Sequence, residues 1–189
     1  MRVIAGSLKG RELKVPKTVT RPTSSRVREA LFSSLQHMLA GFDDLAVLDL
    51  FAGSGALGIE ALSRGAAHAV MVDDDAGAVK VITGNLASHG IDARVLRADA
   101  LVLTAAPSAY GAFDVVFADP PYAMGNADVE RLLAQLGDGG WLADGAVVVV
   151  ERAAKSDIAW PDGYEDVVKR TYGDTAVWYG RFMDERWDH

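Results

Sequence analysis

The stretch of sequence that decides the fold is residues 48–58, Leu48-Asp49-Leu50-Phe51-Ala52-Gly53-Ser54-Gly55-Ala56-Leu57-Gly58. An apolar run leads directly into a Gly-x-Gly-x-x-Gly pattern, and a segment of helix-forming residues follows it. Glycines allow the tight turn that such a junction needs, and the first N–H groups of the helix can donate hydrogen bonds to a ligand. The stretch therefore predicts a strand, a ligand-binding turn and a helix of a nucleotide-binding α/β fold.

The chain around this turn alternates short apolar runs with helix-length segments. The strand-like runs are residues 46–50, 69–73, 93–96, 114–118 and 146–150, and the helix-like segments are residues 55–64, 76–88 and 128–136. Such alternation predicts a parallel sheet with helices on both faces. Residues 165–172 and 175–182 flank Gly173-Asp174 as the strands of a hairpin would. We therefore expect five parallel strands that are closed by two more.

Acidic residues follow the predicted strands. Asp73 ends the second strand, 20 residues beyond Gly53, where an acid can bind both hydroxyls of a ribose. Asp75 is the alternative for this role, although its position favours capping of the next helix. Asp99 follows the third strand and could reach an adenine amino group or lie on the surface. Asp49 either faces the charged amino-acid end of a cofactor or supports the loop.

The most specific motif is Asp119-Pro120-Pro121-Tyr122, which comes directly after the strand-like run 114–118. Two prolines end the strand and stiffen the chain, which fixes a carboxylate and an aromatic ring at the carboxyl end of the strand. Open parallel sheets bind their ligands at this edge. The carboxylate of Asp119 and the carbonyl of Pro120 can accept hydrogen bonds from an exocyclic amino group, and Tyr122 can stack on a base. The motif therefore predicts chemistry on the amino group of a base.

The charges are distributed unevenly along the chain. Residues 1–30 carry a net charge of +6, whereas the whole chain carries −7, which leaves −13 for the remainder. Glycines separate short apolar runs near the start, so we expect a basic hairpin there rather than a loose tail. Thr23 or Ser24 can cap the helix that follows, which would present Arg26 and Arg28 near its start. A basic segment on an acidic body predicts a polyanionic partner.

Composition excludes several classes of function. The sequence of 189 residues contains no cysteine, which excludes disulfides, thiolate metal sites and mechanisms that attack a substrate through sulfur. No apolar stretch approaches the roughly 18 residues of a membrane span. The four histidines lack the spacing of metal ligands, so we expect no metal centre. These features predict a single-domain, cytoplasmic protein.

These motifs resemble those of the S-adenosylmethionine-dependent amino-methyltransferases, whose catalytic motif is Asn or Asp followed by Pro-Pro and an aromatic residue. More closely, the chain resembles the RsmD family, methyltransferases that modify the N2 amino group of one guanine in bacterial 16S ribosomal RNA. The closer resemblance rests on Gly10-Arg11, Arg21-Pro22-Thr23 and residues 26–32 and 48–65. In one departure, the family usually has Glu where this chain has Asp73.

The resemblance implies a Rossmann-like class I methyltransferase fold over residues 41–189, with a seven-stranded, mostly parallel sheet. It implies an RNA-binding extension over residues 1–40, S-adenosylmethionine as the cofactor, and 16S ribosomal RNA in an assembled or assembling small subunit as the partner. The residues that it implies for cofactor binding are Asp49, Phe51, Ala52, Gly53, Ser54, Gly55, Asp73 and Asp99. Those implied for RNA binding are Arg11, Arg21, Arg26 and Arg28, and those implied for catalysis are Asp119, Pro120, Pro121 and Tyr122.

The motifs leave three alternatives open. Adenine-N6 methylation of DNA or RNA uses a nearly identical catalytic motif. The glycine pattern also occurs in nicotinamide-dependent dehydrogenases, although that class does not explain Asp-Pro-Pro-Tyr and the chain is short for a second substrate domain. A non-catalytic RNA-binding or assembly protein could use the same fold.

Overall fold

The computed structural model describes residues 1–17 and 23–184 of the chain. Its helices are α1 (Ser25–Leu39), α2 (Ala56–Ser63), α3 (Ala76–His89), α4 (Ala100–Thr104) and α5 (Asn126–Asp138). Its strands are β1 (Ala46–Asp49), β2 (His68–Asp73), β3 (Arg94–Arg97), β4 (Phe113–Ala118), β5 (Leu142–Ala153), β6 (Tyr164–Tyr172) and β7 (Thr175–Phe182). The strands form one seven-stranded sheet in the order β3-β2-β1-β4-β5-β7-β6. By its internal contacts the chain divides into two compact units, Met1–Ala98 and Asp99–His189.

In the first unit, β1 pairs in parallel with β2, and β2 pairs in parallel with β3. Val47 and Leu48 on β1, and Met71 and Val72 on β2, are fully buried. Because successive side chains of a strand point to opposite faces, both faces of these strands are covered. The strand β3 is less buried and both of its end residues are exposed, which fits its place at the end of the strand order.

In the second unit, β4 and β5 are parallel, whereas β7 pairs antiparallel with β5 and β6 pairs antiparallel with β7. Gly173, with a φ of 59°, lies in the turn between β6 and β7. The hairpin that the sequence predicts around Gly173-Asp174 is therefore confirmed. The buried valines of β4 and β5 form much of the core of this unit, and those that are fully buried are Val115, Val116, Val147, Val148 and Val150.

The predicted α/β fold is confirmed, and two elements depart from the prediction by more than two residues. The strand β5 begins at Leu142, before Asp144-Gly145, because Leu142 pairs with Phe113 across a register irregularity. The helix α4 is absent from the prediction because it is only five residues long. Within residues 1–17 and 23–184, no helix is long and apolar enough to cross a membrane.

The predicted hairpin near the start of the chain is present, and it is irregular. Arg2 and Glu12 form a single antiparallel bridge, and the N–H of Val3 donates to the carbonyl of Arg11 at 3.0 Å. The helix α1 begins as predicted, because the side chain of Ser24 accepts a hydrogen bond from the N–H of Val27. Residues 1–17 belong to the first compact unit, and the division that we expect after residue 40 stays a functional prediction.

Candidate functional site

The glycine turn of the first unit has an open backbone at the start of α2. Gly53 and Gly55 have φ values of 57° and 80°, a region that L side chains rarely adopt. The N-cap residue Gly55 has no side chain to cap α2, so the N–H groups of Ala56 and Leu57 at its start can donate to a ligand, whereas that of Gly58 is bound by Asp49. A Cβ atom at Gly58 would lie 2.8 Å from Cε of Met71, so this glycine allows close packing of the helix on β2. The turn therefore presents backbone N–H groups that can donate hydrogen bonds to a ligand.

Asp49 lies beneath this turn and is only 1% exposed. Its Oδ2 accepts a 3.2 Å hydrogen bond from the N–H of Gly58, whereas Oδ1 is buried without a hydrogen-bond partner among the described residues. The pKa of Asp49 is raised to about 7, chiefly by burial and further by the charge of Asp73. Hydrogen bonds from the N–H groups of Gly58 and Phe51 oppose this rise. Asp49 thus supports the loop and retains an unused acceptor that a cationic group would satisfy.

Asp73 ends β2 and holds two backbone N–H groups. Its Oδ2 accepts from Gly53 at 2.8 Å, and its Oδ1 accepts from Asp75 at 3.0 Å. Asp75 caps α3 by accepting a 3.0 Å hydrogen bond from the N–H of Ala78, as the sequence predicts. The role of Asp73 in binding a ribose stays a prediction, and the structure adds that this carboxylate also anchors the glycine turn.

Hydrogen bonds to a buried carboxylate hold the basic hairpin against α2. Glu60 is 0% exposed, and its carboxylate accepts hydrogen bonds from the N–H groups of Ile4 at 2.8 Å and Ala5 at 3.0 Å, and from Nε of Arg64 at 2.9 Å. A Cβ atom at Gly6 would lie 1.8 Å from the carbonyl oxygen of Ser63, so only glycine fits at this approach. Charge-assisted bonds of this kind are the stronger class, so the hairpin is a structured part of the first unit.

A second set of hydrogen bonds connects the hairpin with the glycine turn. The buried amide of Asn85 on α3 donates from Nδ2 to the carbonyls of Lys14 and Ser54, each at 2.9 Å, and its Oδ1 accepts from the N–H of Lys14 at 2.9 Å. One side chain therefore connects the basic segment with the predicted cofactor loop.

The predicted RNA-binding arginines differ in exposure. Arg11 and Arg26 are exposed, as a role in phosphate binding requires. Arg28 is only 2% exposed, and its Nη2 donates to the carbonyl of Arg2 at 3.2 Å. The expectation that α1 presents Arg28 at its surface is therefore wrong, because this residue faces the N-terminal segment; burial lowers its pKa and the charge of Glu60 raises it. Arg21 lies outside the described residues.

The second unit contains the remaining predicted cofactor residue. Asp99 is exposed and caps α4, since its Oδ1 accepts a 3.0 Å hydrogen bond from the N–H of Val102. This capping role accounts for the position of Asp99 at the start of a helix. Its contact with an adenine amino group stays a prediction.

The Asp119-Pro120-Pro121-Tyr122 motif of the second unit follows β4 and enters a tight turn. Asp119 is half-buried and Pro120 is buried. The N–H of Met124 donates to the carbonyl of Pro121 at 2.9 Å, which closes a four-residue turn with Tyr122 at its second position. Tyr122 is 63% exposed, so its ring is open to stacking. The motif thus presents a carboxylate and an aromatic ring at the end of a buried strand.

The structure also shows a buried arginine behind this turn. Arg152 on β5 is 7% exposed, and its Nη2 donates to the carbonyl of Met124 at 2.6 Å and to Oδ1 of Asn126 at 3.3 Å. Within residues 1–17 and 23–184, no group of three or more His, Asp or Glu side chains could hold a metal ion.

The chain matches the family described as "Conserved hypothetical protein 95" over residues 1–181. The chain belongs to this family. "Ribosomal RNA small subunit methyltransferase D" of Escherichia coli (strain K12) is 39% identical over 160 residues, which cover 84% of this chain and 77% of that protein. This similarity confirms the resemblance to the RsmD family that the motifs indicate.

Solved structures confirm the methyltransferase fold of this family. The Escherichia coli protein yhhF superposes with a TM-score of 0.85 at 35% identity, and the match covers 98% of this chain and 99% of that chain. The Thermus thermophilus 16S rRNA N2 G1207 methyltransferase RsmC, solved with AdoMet and guanosine, superposes with a TM-score of 0.63 at 20% identity. This match covers 93% of this chain and 46% of that chain, and it supports the fold alone.

Sequence reasoning did not identify three buried polar residues that the structure shows near the predicted motifs. They are Glu60 and Asn85 in the first unit and Arg152 in the second. Glu60 had a usable signal, because it is the single acid in the otherwise apolar helix α2. A lone acid on such a helix is buried only when other groups donate to it. Asn85 and Arg152 had no signal of this kind, because their partners are polar groups of distant residues that no sequence pattern marks.

Proposed function

We propose that this chain transfers a methyl group from S-adenosylmethionine to the exocyclic N2 amino group of a guanine in 16S ribosomal RNA. The observation that carries the proposal is the rigid Asp119-Pro120-Pro121-Tyr122 turn at the end of a buried strand. Membership of the family supports it, since a relative that is 39% identical is named "Ribosomal RNA small subunit methyltransferase D".

The residues of the first unit fit this cofactor. When bound, S-adenosylmethionine supplies a sulfonium-activated methyl group. The ammonium group of its amino-acid end would be held by the buried Oδ1 of Asp49, which has no hydrogen-bond partner among the described residues. Asp73 would bind the ribose hydroxyls, and the open backbone at Gly53 and Gly55 would admit the ligand. In the second unit, Asp99 would contact the adenine amino group.

The residues of the second unit would orient the base. Asp119 and the carbonyl of Pro120 accept hydrogen bonds from the amino group, so that the nitrogen lone pair points at the methyl carbon. Tyr122 stacks on the base and holds it in this orientation. Asp119 need not be a strong base, because the nitrogen becomes acidic only as it gains the methyl group and then loses its proton to solvent. Catalysis is therefore mostly positioning.

The partner that we propose is ribosomal RNA in the small subunit, contacted through the basic segment. The exposed Arg11 and Arg26 would bind phosphates, together with Arg21. The target guanine must leave its stack to reach Tyr122, which costs less in a loop than in a duplex.

Replacement of the catalytic acid tests the reaction. Asp119→Ala should abolish methyl transfer to small-subunit particles and leave the affinity for S-adenosylmethionine unchanged by calorimetry. Asp174→Ala, in the β6–β7 turn of the same unit, is the matched control and should retain full activity. Full activity of Asp119→Ala would contradict the proposed role.

Two further measurements separate the alternatives. Mapping of methylated nucleotides in ribosomal RNA from cells with and without the gene should show loss of one N2-methylguanine, whereas a changed adenine N6 position would support the alternative reaction. Tight binding of NAD without binding of S-adenosylmethionine would favour a dehydrogenase. Absence of transfer under single-turnover, saturating conditions would favour a non-catalytic RNA-binding protein.

A further inference from the structure

Arg152 lies close behind the turn that carries Tyr122. Val150 of β5 pairs with Ala118, the last residue of β4, so Arg152 extends two residues beyond that pair. The Nη2 of Arg152 donates to the carbonyl of Met124, and the N–H of Met124 in turn donates to the carbonyl of Pro121. The exposed Tyr122 therefore sits on a turn with two fixed ends: Pro121 on one side and the arginine-bound Met124 on the other.

A second contact strengthens this anchor. Nη2 of Arg152 also reaches Oδ1 of Asn126, the first residue of α5, while Nδ2 of Asn126 donates to the carbonyl of Asp157 at 2.6 Å. The segment between the catalytic motif and α5 is therefore bonded to two points of the chain beyond it. Both points lie in the second unit, as the turn does.

The guanidinium of Arg152 lacks the carboxylate partner among the described residues that a stabilising buried arginine would have. No carboxylate of the described residues forms an ion pair with Arg152, and its buried Nε and Nη1 have no hydrogen-bond partner there. Burial of a charge with unmade hydrogen bonds is costly, so a net gain in stability does not account for this arrangement. The contacts that Arg152 does make, with Met124 and Asn126, hold the segment that follows Tyr122.

We propose that Arg152 is a positioning residue for methyl transfer, which holds the Pro121–Met124 turn so that Tyr122 meets the target base in a fixed orientation. The inference rests on the proposed function, because Tyr122 matters only if a base stacks on it. Arg152 itself touches neither the base nor the reacting atoms. Its loss should reduce kcat on saturating RNA more than it raises KM, because the basic segment supplies the RNA affinity.

Arg152→Met tests the proposal, since methionine fills similar space and donates no hydrogen bond. With small-subunit particles from cells that lack the gene, we expect kcat to fall about 10- to 100-fold, as small misplacements of a reactant do. The affinity for S-adenosylmethionine should be unchanged. The matched control is Arg181→Met, because Arg181 also donates from Nη1 to a backbone carbonyl, that of Gly145, at 3.0 Å in the same unit. Arg152→Lys, which keeps one charged donor, should recover part of kcat.

A double mutant separates positioning from a merely structural role. If Arg152 acts through Tyr122, Arg152→Met combined with Tyr122→Ala should be no slower than Tyr122→Ala alone. Multiplied losses, or an Arg152→Met variant that behaves as Arg181→Met does, would overturn the proposal. Should Arg152→Met fail to fold, Asn126→Ala removes the second contact at a less buried residue, and we expect a smaller fall in kcat. An unchanged kcat for Asn126→Ala would then overturn the proposal.

The failure of this inference and the failure of the proposed function give different results. Wild-type protein that transfers no methyl group to the particles would overturn both. Active wild-type protein, an inactive Asp119→Ala variant and a fully active Arg152→Met variant would overturn the positioning role alone.

Discussion

The N–H of Gly53 donates a 2.8 Å hydrogen bond to Oδ2 of Asp73, which lies 20 residues later in the chain. The other oxygen of this carboxylate accepts from the N–H of Asp75 at 3.0 Å. One side chain therefore fixes the glycine turn and the approach to α3 at the same time. The acid that the sequence assigns to a ribose also determines the shape of the loop that we propose for the cofactor.

Asp73→Asn should impair both roles. Asparagine replaces one carboxylate oxygen with an NH₂ donor that faces a backbone donor, so we expect a loss of roughly 1–3 kcal/mol in the free energy of unfolding. We expect the affinity for S-adenosylmethionine to fall by about tenfold or more, for the loss of a charged hydrogen-bond acceptor. Calorimetry and urea denaturation measure the two effects. The exposed neighbour Asp74, changed to Asn, is the control and should behave as wild type.

Asp75→Ala distinguishes the two candidates for the ribose. The loss of the α3 cap should cost about 1 kcal/mol in stability and leave cofactor affinity unchanged. A large loss of affinity in Asp75→Ala, with none in Asp73→Asn, would assign the ribose to Asp75 instead.

The buried Asp49 predicts a pH dependence of stability. Its pKa is raised to about 7 in the folded protein, chiefly by burial, from an ordinary value of 3.8. Between these values the unfolded chain ionises and the folded protein does not, so the contribution of Asp49 to stability falls as the pH rises from about 4 to about 7. Asp49→Asn keeps an oxygen for the Gly58 N–H and removes the ionisation.

Urea denaturation across this pH range measures the effect. The free energy of unfolding should fall less steeply with pH in Asp49→Asn than in wild type, and Asp74→Asn should keep the wild-type slope. Affinity for the positively charged cofactor should rise with pH in wild type, as Asp49 ionises, and not in Asp49→Asn. Identical pH profiles for wild type and Asp49→Asn would contradict both expectations.

Substitution of two arginines on α1 should have different effects on the salt dependence of RNA binding. Arg26 is exposed and Arg28 is buried, although only one residue separates them on α1. Arg26→Ala should weaken RNA binding and reduce the slope of log affinity against log salt by about one phosphate contact. Arg28→Met should keep the wild-type slope. Binding measured at several salt concentrations decides, and an equal reduction of slope in both variants would show that Arg28 becomes exposed on RNA.

Asn85→Ala should loosen the basic segment. The substitution removes three hydrogen bonds and leaves the buried carbonyl of Ser54 and the backbone groups of Lys14 without these partners, so we expect a loss of about 2–4 kcal/mol in stability. Limited trypsin digestion should cleave the basic segment faster in this variant than in wild type. Ser88→Ala on the same helix removes only an exposed bond to Gly84 and is the control. Equal cleavage rates in all three proteins would contradict the fastening role of Asn85.

The Asp119-Pro120-Pro121-Tyr122 turn and the glycine turn were predictable from the sequence because local chemistry determines them. Glycine is favoured where φ is positive, as at Gly55, and two consecutive prolines end a strand. The alternation of apolar runs with helical segments determined the α/β class for a similar reason, since each run must be buried on both faces. The charge asymmetry is likewise a property of the sequence.

Only the tertiary structure decided which polar residues form hydrogen bonds with distant parts of the chain. Arg26 and Arg28 have the same side chain and nearly adjacent positions, and only packing against the N-terminal segment buries one of them. Asp73 and Asp75 divide their roles by which N–H groups approach them. Glu60, Asn85 and Arg152 gain their roles from backbone groups that lie 28–71 residues away in the chain. Local sequence sets the conformation of a turn, whereas the folded chain sets which donors and acceptors meet, because those contacts depend on packing between distant segments.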